Sequence, residues 1–504
     1  MPEDRSDPHA APSGAVRFVG TFFEDAVALA RRFAAAGRAW CWFDGEVSAP
    51  GESRVSYFAL ASEVHRAERG RESAFLDALR AADAAPTVGS GDRSVCGGWA
   101  GGWAVALGYE FGVALLGIEP LADFGGSGRD DRGAQLAPGF ALRCDVVLAI
   151  DHESLTARLH GPSEHAIDAW LAEHGGLLAA AAPTPTSTPT SVPEPGHSAE
   201  PRGAAIAPGV QVSTHPQWRR DDASYAREVD ACRAAIRAGD AYVLCLTDTA
   251  DAAGAPQDAR SAVDVYARLR TLGTPIRGGI MDAGDRALVS ASPERFLSVR
   301  GDRVVTHPIK GTRRRGDTAA ADRELAEELA ADPKERAENL MIVDLMRNDL
   351  SRVCVPGTVR VERFLEVETH AHVHQLVSTV AGRLSAHSGI WDAIAATFPG
   401  GSMTGAPKRR AVELLQQIEG GPRGLYSGCF GWVDRGGDAE IAMTIRSVEL
   451  LRERAHGGAT ATVGARLGAG GGITIDSVPQ REVAEKHLKA AALMAALTPE
   501  AIAD

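Results

Sequence analysis

Gly428-Cys429-Phe430-Gly431-Trp432-Val433 and Ile441-Ala442-Met443-Thr444-Ile445-Arg446 are two apolar runs, rich in aromatic and β-branched residues, and both read as strands. Further strands are expected at residues 461–463 and 473–475 downstream, and at 242–246, 287–290, 359–364 and 373–380 upstream. A helix over residues 222–238, closed by Gly239, opens this half of the chain. Helices alternate with these strands less regularly than in a βαβ repeat, and no internal period is visible. The expected fold is therefore mixed α/β, with large antiparallel sheets flanked by helices rather than a doubly wound parallel sheet.

Further back, Trp99-Ala-Gly-Gly-Trp-Ala-Val-Ala-Leu-Gly-Tyr109-Glu110 reads as a buried strand punctuated by glycine, residues 146–150 as another strand, and 165–182 as a helix. From Pro183 to Pro201, proline alternates with Thr, Ser and Glu and there is almost nothing apolar to bury, the composition of a linker. The expected organisation is an N-terminal region (1–182), a linker (183–212) and a catalytic domain (213–504).

The chain has 504 residues, enough for two or three domains, with 44% hydrophobic and 24% charged residues, as in ordinary globular proteins. A net charge of −13 argues against nucleic acid or an anionic membrane as partner. No stretch approaches the ~20 apolar residues of a membrane span, and Met1-Pro-Glu-Asp carries no basic leader segment, so a cytoplasmic location is expected. Seven scattered cysteines, Cys96 among them, read as reduced thiols.

Positive charge is written almost entirely as arginine: only Lys310, Lys334, Lys408, Lys486 and Lys489 are lysines. A guanidinium cannot deprotonate and act as a nucleophile, whereas an amine can, which singles out Lys310 in Pro308-Ile-Lys-Gly-Thr312. Two carboxylate pairs share one spacing: Glu335 with Glu338, and Glu482 with Glu485. Each follows a helix-start signature, so each pair projects from one helix face, and oxygen ligands from two helices suit Mg²⁺. Asp332 with Glu335, and Ser477 with Gln480, could equally form capping boxes.

Glycine-rich loops are expected at Gly468-Ala-Gly470-Gly471-Gly472, where backbone N–H groups could hold a carboxylate, and at Gly400-Gly-Ser402-Met-Thr404-Gly-Ala-Pro-Lys408, which opens a helix. Arg446, at the end of its strand, could fork onto a carboxylate. His370, His372 and His374 would share one strand face, but no other soft-metal ligand accompanies them.

Taken together, residues 225–495 resemble the chorismate-utilising enzymes: the first components of anthranilate synthase and aminodeoxychorismate synthase, with their isochorismate and salicylate synthase relatives. The motifs are Ser292-Pro-Glu-Arg-Phe296, Pro308–Thr312, Val343-Asp-Leu-Met-Arg-Asn-Asp349, Gly405-Ala-Pro-Lys408, Ile445-Arg446-Ser447 and the two glutamate segments. A weaker likeness reaches Gly101–Glu110. The resemblance implies that Lys310 is a nucleophile attacking C2 of chorismate, where anthranilate synthases carry alanine, and that Glu294 is the general acid. It also implies Mg²⁺ bound through Glu338 and Glu485, with Glu335 and Glu482 ligating through water. Gly311, Thr312, Ser402, Tyr426, Arg446 and Gly470 to Gly472 would hold the substrate, and Arg313, Arg314, Arg315 and Mg²⁺ would depress the Lys310 pKa.

Departures from the family pattern matter as well. Gln375 stands where anthranilate synthases use histidine during pyruvate loss, and residues 236–249 lack the lysine base of isochorismate-forming relatives. Trp42-Phe-Asp-Gly-Glu-Val replaces a Leu-Leu-Glu-Ser motif, and Pro275 is followed by Ile276, which puts tryptophan binding in doubt. No cysteine sits in a glutaminase-type elbow, so ammonia is expected from solution or from a separate glutamine amidotransferase subunit, as a heterodimer. The expected activity is amination of chorismate to 4-amino-4-deoxychorismate for 4-aminobenzoate and folate. The alternatives are an anthranilate or 2-amino-2-deoxyisochorismate synthase, a non-catalytic chorismate-binding paralogue, or a pyridoxal-phosphate lysine enzyme.

Overall fold

The computed structural model describes residues 14–21, 25–46, 54–84, 98–121, 136–178, 216–253, 261–271, 276–370, 373–454 and 460–498. The expected linker at 183–212, together with Cys96, Pro275 and His372, lies outside the described residues.

Strict alternation in the strands builds two sheets that share a core. In Trp40–Glu46, Trp40 and Trp42 face one apolar cluster while Cys41 and Phe43 face another, and in Gly102–Leu107 the same split separates Trp103, Val105 and Leu107 from Ala104 and Ala106. A one-residue slip would exchange the two sets, so the register is strongly specified. Cys41, Phe43, Met281 and Leu288 of one sheet meet Ala104, Phe140, Phe430 and Trp432 of the other, so the sheets pack face to face. Helices cover the outer faces, with Ala490 and Leu493 against the first sheet and Ile342, Val343 and Met346 against the second.

Among the described residues, the first sheet has twelve strands and the second ten, and every paired strand runs antiparallel to its neighbour, as expected. Regions on both sides of 183–212 contribute to each sheet. Trp40–Glu46 pairs with Arg277–Asp282, and Gly102–Leu107 pairs with Cys429–Asp434. Two expectations need correction. Residues 461–463 and 473 belong to one strand, Thr460–Ile473, which stops before Thr474 and Ile475, so the glycine run at 468–472 is strand rather than loop. The strand expected at 441–446 ends at Met443, and Arg446 adopts φ 52° between it and the next strand, Ser447–Arg454.

The helix expected at 222–238 is present as Asp222–Arg237, and Gly239 follows it at φ 83°. The helix expected at 165–182 ends at His174, with a 3₁₀ turn to Leu178. Tyr109 and Glu110 start a short helix instead of continuing their strand. Six described cysteines are free and buried. Among the described residues, no helix is long and apolar enough to cross a membrane.

Candidate active site

Lys310 lies on Ile309–Arg314, an end strand of the second sheet, paired with Val373–Arg383. Gly311 takes φ 81°, and a methyl group there would come within 3.1 Å of the Glu335 side chain, so glycine is needed both for the backbone and for the close approach. The Lys310 side chain is 14% exposed, and its Nζ stands 3.8 Å from Glu338 Oε2. Burial pulls the Lys310 pKa down, but Glu338, Glu294 and Glu335 pull it up more, leaving it above the usual lysine value. The expected depression by Arg313 to Arg315 is not found. Arg313 is spent on Glu328 and Asp332, at 3.1 and 2.9 Å, Arg315 pairs with Asp322 at 2.7 Å, and Arg314 is exposed.

Two helices carry the four glutamates, and both start with proline at the first position: Pro333–Ser351 and Pro479–Leu497. Asp332 caps the first by accepting from the N–H groups of Lys334 and Glu335, at 2.9 and 3.1 Å. Neither capping box closes: Asp332 N–H goes to Leu329 O rather than to Glu335, and the Ser477 hydroxyl accepts instead from Thr474 N–H at 3.1 Å. The glutamates converge on the bare strand backbone. A methyl on Gly471 would lie 3.1 Å from Glu485 Oε1 and 3.2 Å from Glu482 Oε2, and one on Gly472 would lie 2.8 Å from Glu338 Oε2. The glycines thus make room for carboxylates, not the anion loop read from the sequence.

Two lysines compensate this acidic cluster. Lys334 Nζ lies 3.2 Å from Glu482 Oε1 and 3.8 Å from Glu338 Oε1, while Lys489 pairs with Glu485 and donates to Gly470 O at 2.8 Å. Burial raises the Glu338 and Glu335 pKa values. Burial also acts upward on Glu485, but Lys489, Lys334 and Lys310 outweigh it and hold that carboxyl low. Among the described residues, no group of three or more His, Cys, Asp or Glu side chains is drawn closely enough together to hold a metal ion. The donors nevertheless fit a hard divalent cation: they are all oxygens, they face a glycine cradle, and Glu482 Oε2 is buried without a hydrogen-bond partner.

Glu294 is 6% exposed, and burial raises its pKa, opposed by a hydrogen bond with Ser402 and by the charges of Lys310 and Lys489. Ser402 sits in the turn Gly401–Met403, and the Tyr426 ring packs so closely over Gly468 that any side chain there would overlap it. Arg446 is exposed and, among the described residues, forks onto no carboxylate: its Nη1 donates to Lys489 O at 3.0 Å. Thr312 is exposed, set across the strand pair from the buried Gln375. The three-histidine face does not form a site in the described residues: His374 Nε2 bonds Asp322 at 2.8 Å, and His370 leans on Glu368.

The remaining lysines are structural. Lys408 is buried against Asp349 and donates to Thr397 O, so two motif residues hold the last residue of the helix Ile390–Thr397, which precedes the Gly401–Met403 turn. Lys486, fully buried, lies over the Trp218 and Tyr225 rings at 4.4 and 4.6 Å and faces Asp248. Glu110 accepts from the N–H groups of Arg423 and Gly424, at 2.8 and 3.0 Å. Sequence reading gave no role at the site to Lys334, Lys489 or Cys245, the last buried within the field of Lys310. The i, i+4 spacings Lys334–Glu338 and Glu485–Lys489 were the available signal for two of them.

The family described as chorismate binding enzyme matches residues 51–495. Aminodeoxychorismate synthase of Streptomyces pristinaespiralis is 37% identical over 406 residues, covering 78% of this chain and 52% of that one. Anthranilate synthase component 1 of Arthrobacter globiformis is 40% identical over 343 residues, covering 66% and 60%. The chain thus spans about half the length of the first of these curated relatives and three-fifths of the second. Among solved structures, anthranilate synthase component I from Streptococcus pneumoniae TIGR4 superposes with a TM-score of 0.68 at 25% identity, covering 89% of this chain and 93% of that one. The menaquinone-specific isochorismate synthase from Escherichia coli shares the fold, with a TM-score of 0.62 at 18% identity over 97% and 96% of the two chains. With its antiparallel sheets, its paired glutamate helices and this match over most of its length, the chain belongs to the chorismate binding enzyme family.

Proposed function

We propose that this chain aminates chorismate at C4, as the first component of an aminodeoxychorismate synthase. The observation that carries the reading is Lys310, a largely enclosed amine 3.8 Å from Glu338 and within the field of Glu294. The neutral Lys310 amine attacks C2 of chorismate and loses a proton. Both ring double bonds shift by one position, so that new ones lie at C1–C6 and C4–C5, and the C4 hydroxyl leaves as water with the Glu294 proton. Ammonia then bonds to C4 while the C2–nitrogen bond breaks and its electron pair returns to Lys310. Glu338 and Glu485, with Glu335 and Glu482 behind them, would hold Mg²⁺, which supplies Lewis-acid stabilisation of a substrate carboxylate when bound. The exposed Arg446 and the buried Tyr426 ring would border the same space.

Lys310 keeps its proton while Glu338 is a bare carboxylate 3.8 Å away, since such a pair attracts by about 4 kcal/mol at an effective dielectric of ~20. Neutralising Glu338 is therefore a condition for a free amine.

The proposed site residues all fall in 213–504, read as the catalytic part; 1–182 supplies the Glu110 clamp on the 423–424 turn, and 183–212 is read as the connection. Ammonia would come from solution or from a glutamine amidotransferase partner, in the cytoplasm. The test is intact-protein mass spectrometry after mixing with chorismate and Mg²⁺ without ammonia. An adduct of chorismate less one water, mapped to Lys310, supports the mechanism; an adduct that persists in Lys310→Ala refutes it.

A further inference from the structure

Lys334 is oddly placed for a helix residue. It is the second residue of Pro333–Ser351, where the positive end of the helix dipole disfavours a cation. Its carbon stem reaches away from that end to set the ammonium between the two glutamate helices, 3.2 Å from Glu482 Oε1 and 3.8 Å from Glu338 Oε1. Those two carboxylates are almost fully enclosed, at 3% and 6% side-chain exposure, while Lys334 itself is 41% exposed. One end of this ion pair is fixed and the other has an open path to solvent.

The residue type fits such a release. An arginine here would lock onto a carboxylate with a planar, two-pronged fork, whereas an ammonium on a flexible stem is a compact point charge. In a chain with five lysines among 53 basic residues, lysine stands at this position. Lys334 also satisfies Glu482 through Oε1 alone, leaving Oε2 buried without a partner beside Gly471.

We infer that the Lys334 ammonium is the internal cation of the carboxylate site, standing between Glu338 and Glu482 where a divalent cation binds, and that the divalent cation enters by displacing it. The inference rests on the reading of the four glutamates as a metal site. It goes further in assigning the metal-free state its own counter-ion and making metal affinity the outcome of a competition. Lys489, paired with Glu485 and anchored to Gly470 O, is the contrasting case, held by a second bond of its own.

The test is calorimetric titration of the whole protein with MgCl₂ at fixed ionic strength, on wild type, Lys334→Met and Arg313→Gln. Arg313 lies on the rim of the same cluster, 3.7 Å from Glu335, but does not stand between the helices. Displacement predicts that Lys334→Met binds Mg²⁺ about fivefold tighter or more, because the occupied fraction of the site no longer counts against the metal. Arg313→Gln, which removes the same charge nearby, should change affinity by less than about twofold across a screening length of ~8 Å. Thermal unfolding in EDTA should show Lys334→Met less stable than wild type, with Mg²⁺ restoring more of its Tm than it adds to wild type. Equal effects of the two substitutions would reduce Lys334 to background charge and overturn the inference, as would unchanged or weaker binding in Lys334→Met. Absence of Mg²⁺ binding in every variant would instead remove the metal reading on which the inference stands.

Discussion

Lys310 and Glu338 come from different elements, an end strand of the second sheet and a helix packed on that sheet's outer face, and their charged atoms meet at 3.8 Å. The contact joins the residue singled out as nucleophile to one singled out as metal ligand. It makes the state of the amine depend on what neutralises the carboxylate.

Lys310→Ala should lower C4 amination with ammonium as nitrogen source by at least about a hundredfold. Lys310→Arg should not restore it, because a guanidinium keeps its proton. Product formation by liquid chromatography checks both, and near-normal turnover in Lys310→Ala would remove the covalent step.

Glu338→Gln and Glu485→Gln should weaken the dependence of rate on Mg²⁺ by an order of magnitude or more, the cost typical of a lost ligand contact. Circular dichroism should report an intact fold in both. If the Mg²⁺ titration of activity were unchanged in the two variants, these residues would be helix-face charges without a metal role.

Glu294 must hold a proton to give it to the leaving hydroxyl, and burial raises its pKa while the Ser402 hydrogen bond works in the opposite sense. Ser402→Ala removes a bond that favours the carboxylate, so the Glu294 pKa rises further and the acid form persists to higher pH. The loss of kcat at high pH should therefore move upward in pH, measured at a fixed concentration of free ammonia. Movement in the other direction would contradict this role for Glu294.

Lys408→Met should cost about 3–5 kcal/mol of stability by leaving Asp349 buried without its partner. Urea unfolding measures this, and Asp349→Asn in the same background should recover part of the loss. A change within about 0.5 kcal/mol, as for an ordinary surface substitution, would show that the buried pair contributes little to the fold.

Part of the sheets was legible because Trp103 to Leu107 and Cys429 to Val433 are continuous apolar runs, as strands buried on both faces must be, whereas the strand Trp40–Glu46 went unread. Gly468 to Gly472 defeated the same reading. Glycine has no side chain to alternate, and the reason for it, the Tyr426 ring and three glutamates pressed on the strand, comes from residues distant in sequence. Arg446 failed similarly: its left-handed backbone and its bond to Lys489 O are tertiary facts. Lys310, Glu294 and the glutamate pairs could be named from motif and spacing, but the sign of the field on Lys310 could not. The adjacent Arg313 to Arg315 suggested cations nearby, and folding sends Arg313 and Arg315 to Glu328, Asp332 and Asp322.

Incubation of the purified protein with chorismate, Mg²⁺ and an ammonium salt, followed by product identification and a lactate dehydrogenase-coupled assay for pyruvate, tests the central claim most directly. Gln375 is buried with its amide oxygen unpartnered and cannot titrate, which makes it a poor base for the aromatising elimination. The account predicts 4-amino-4-deoxychorismate without pyruvate, converted to 4-aminobenzoate only when a separate lyase is added. Stoichiometric pyruvate with fluorescent anthranilate, and no added lyase, would contradict it.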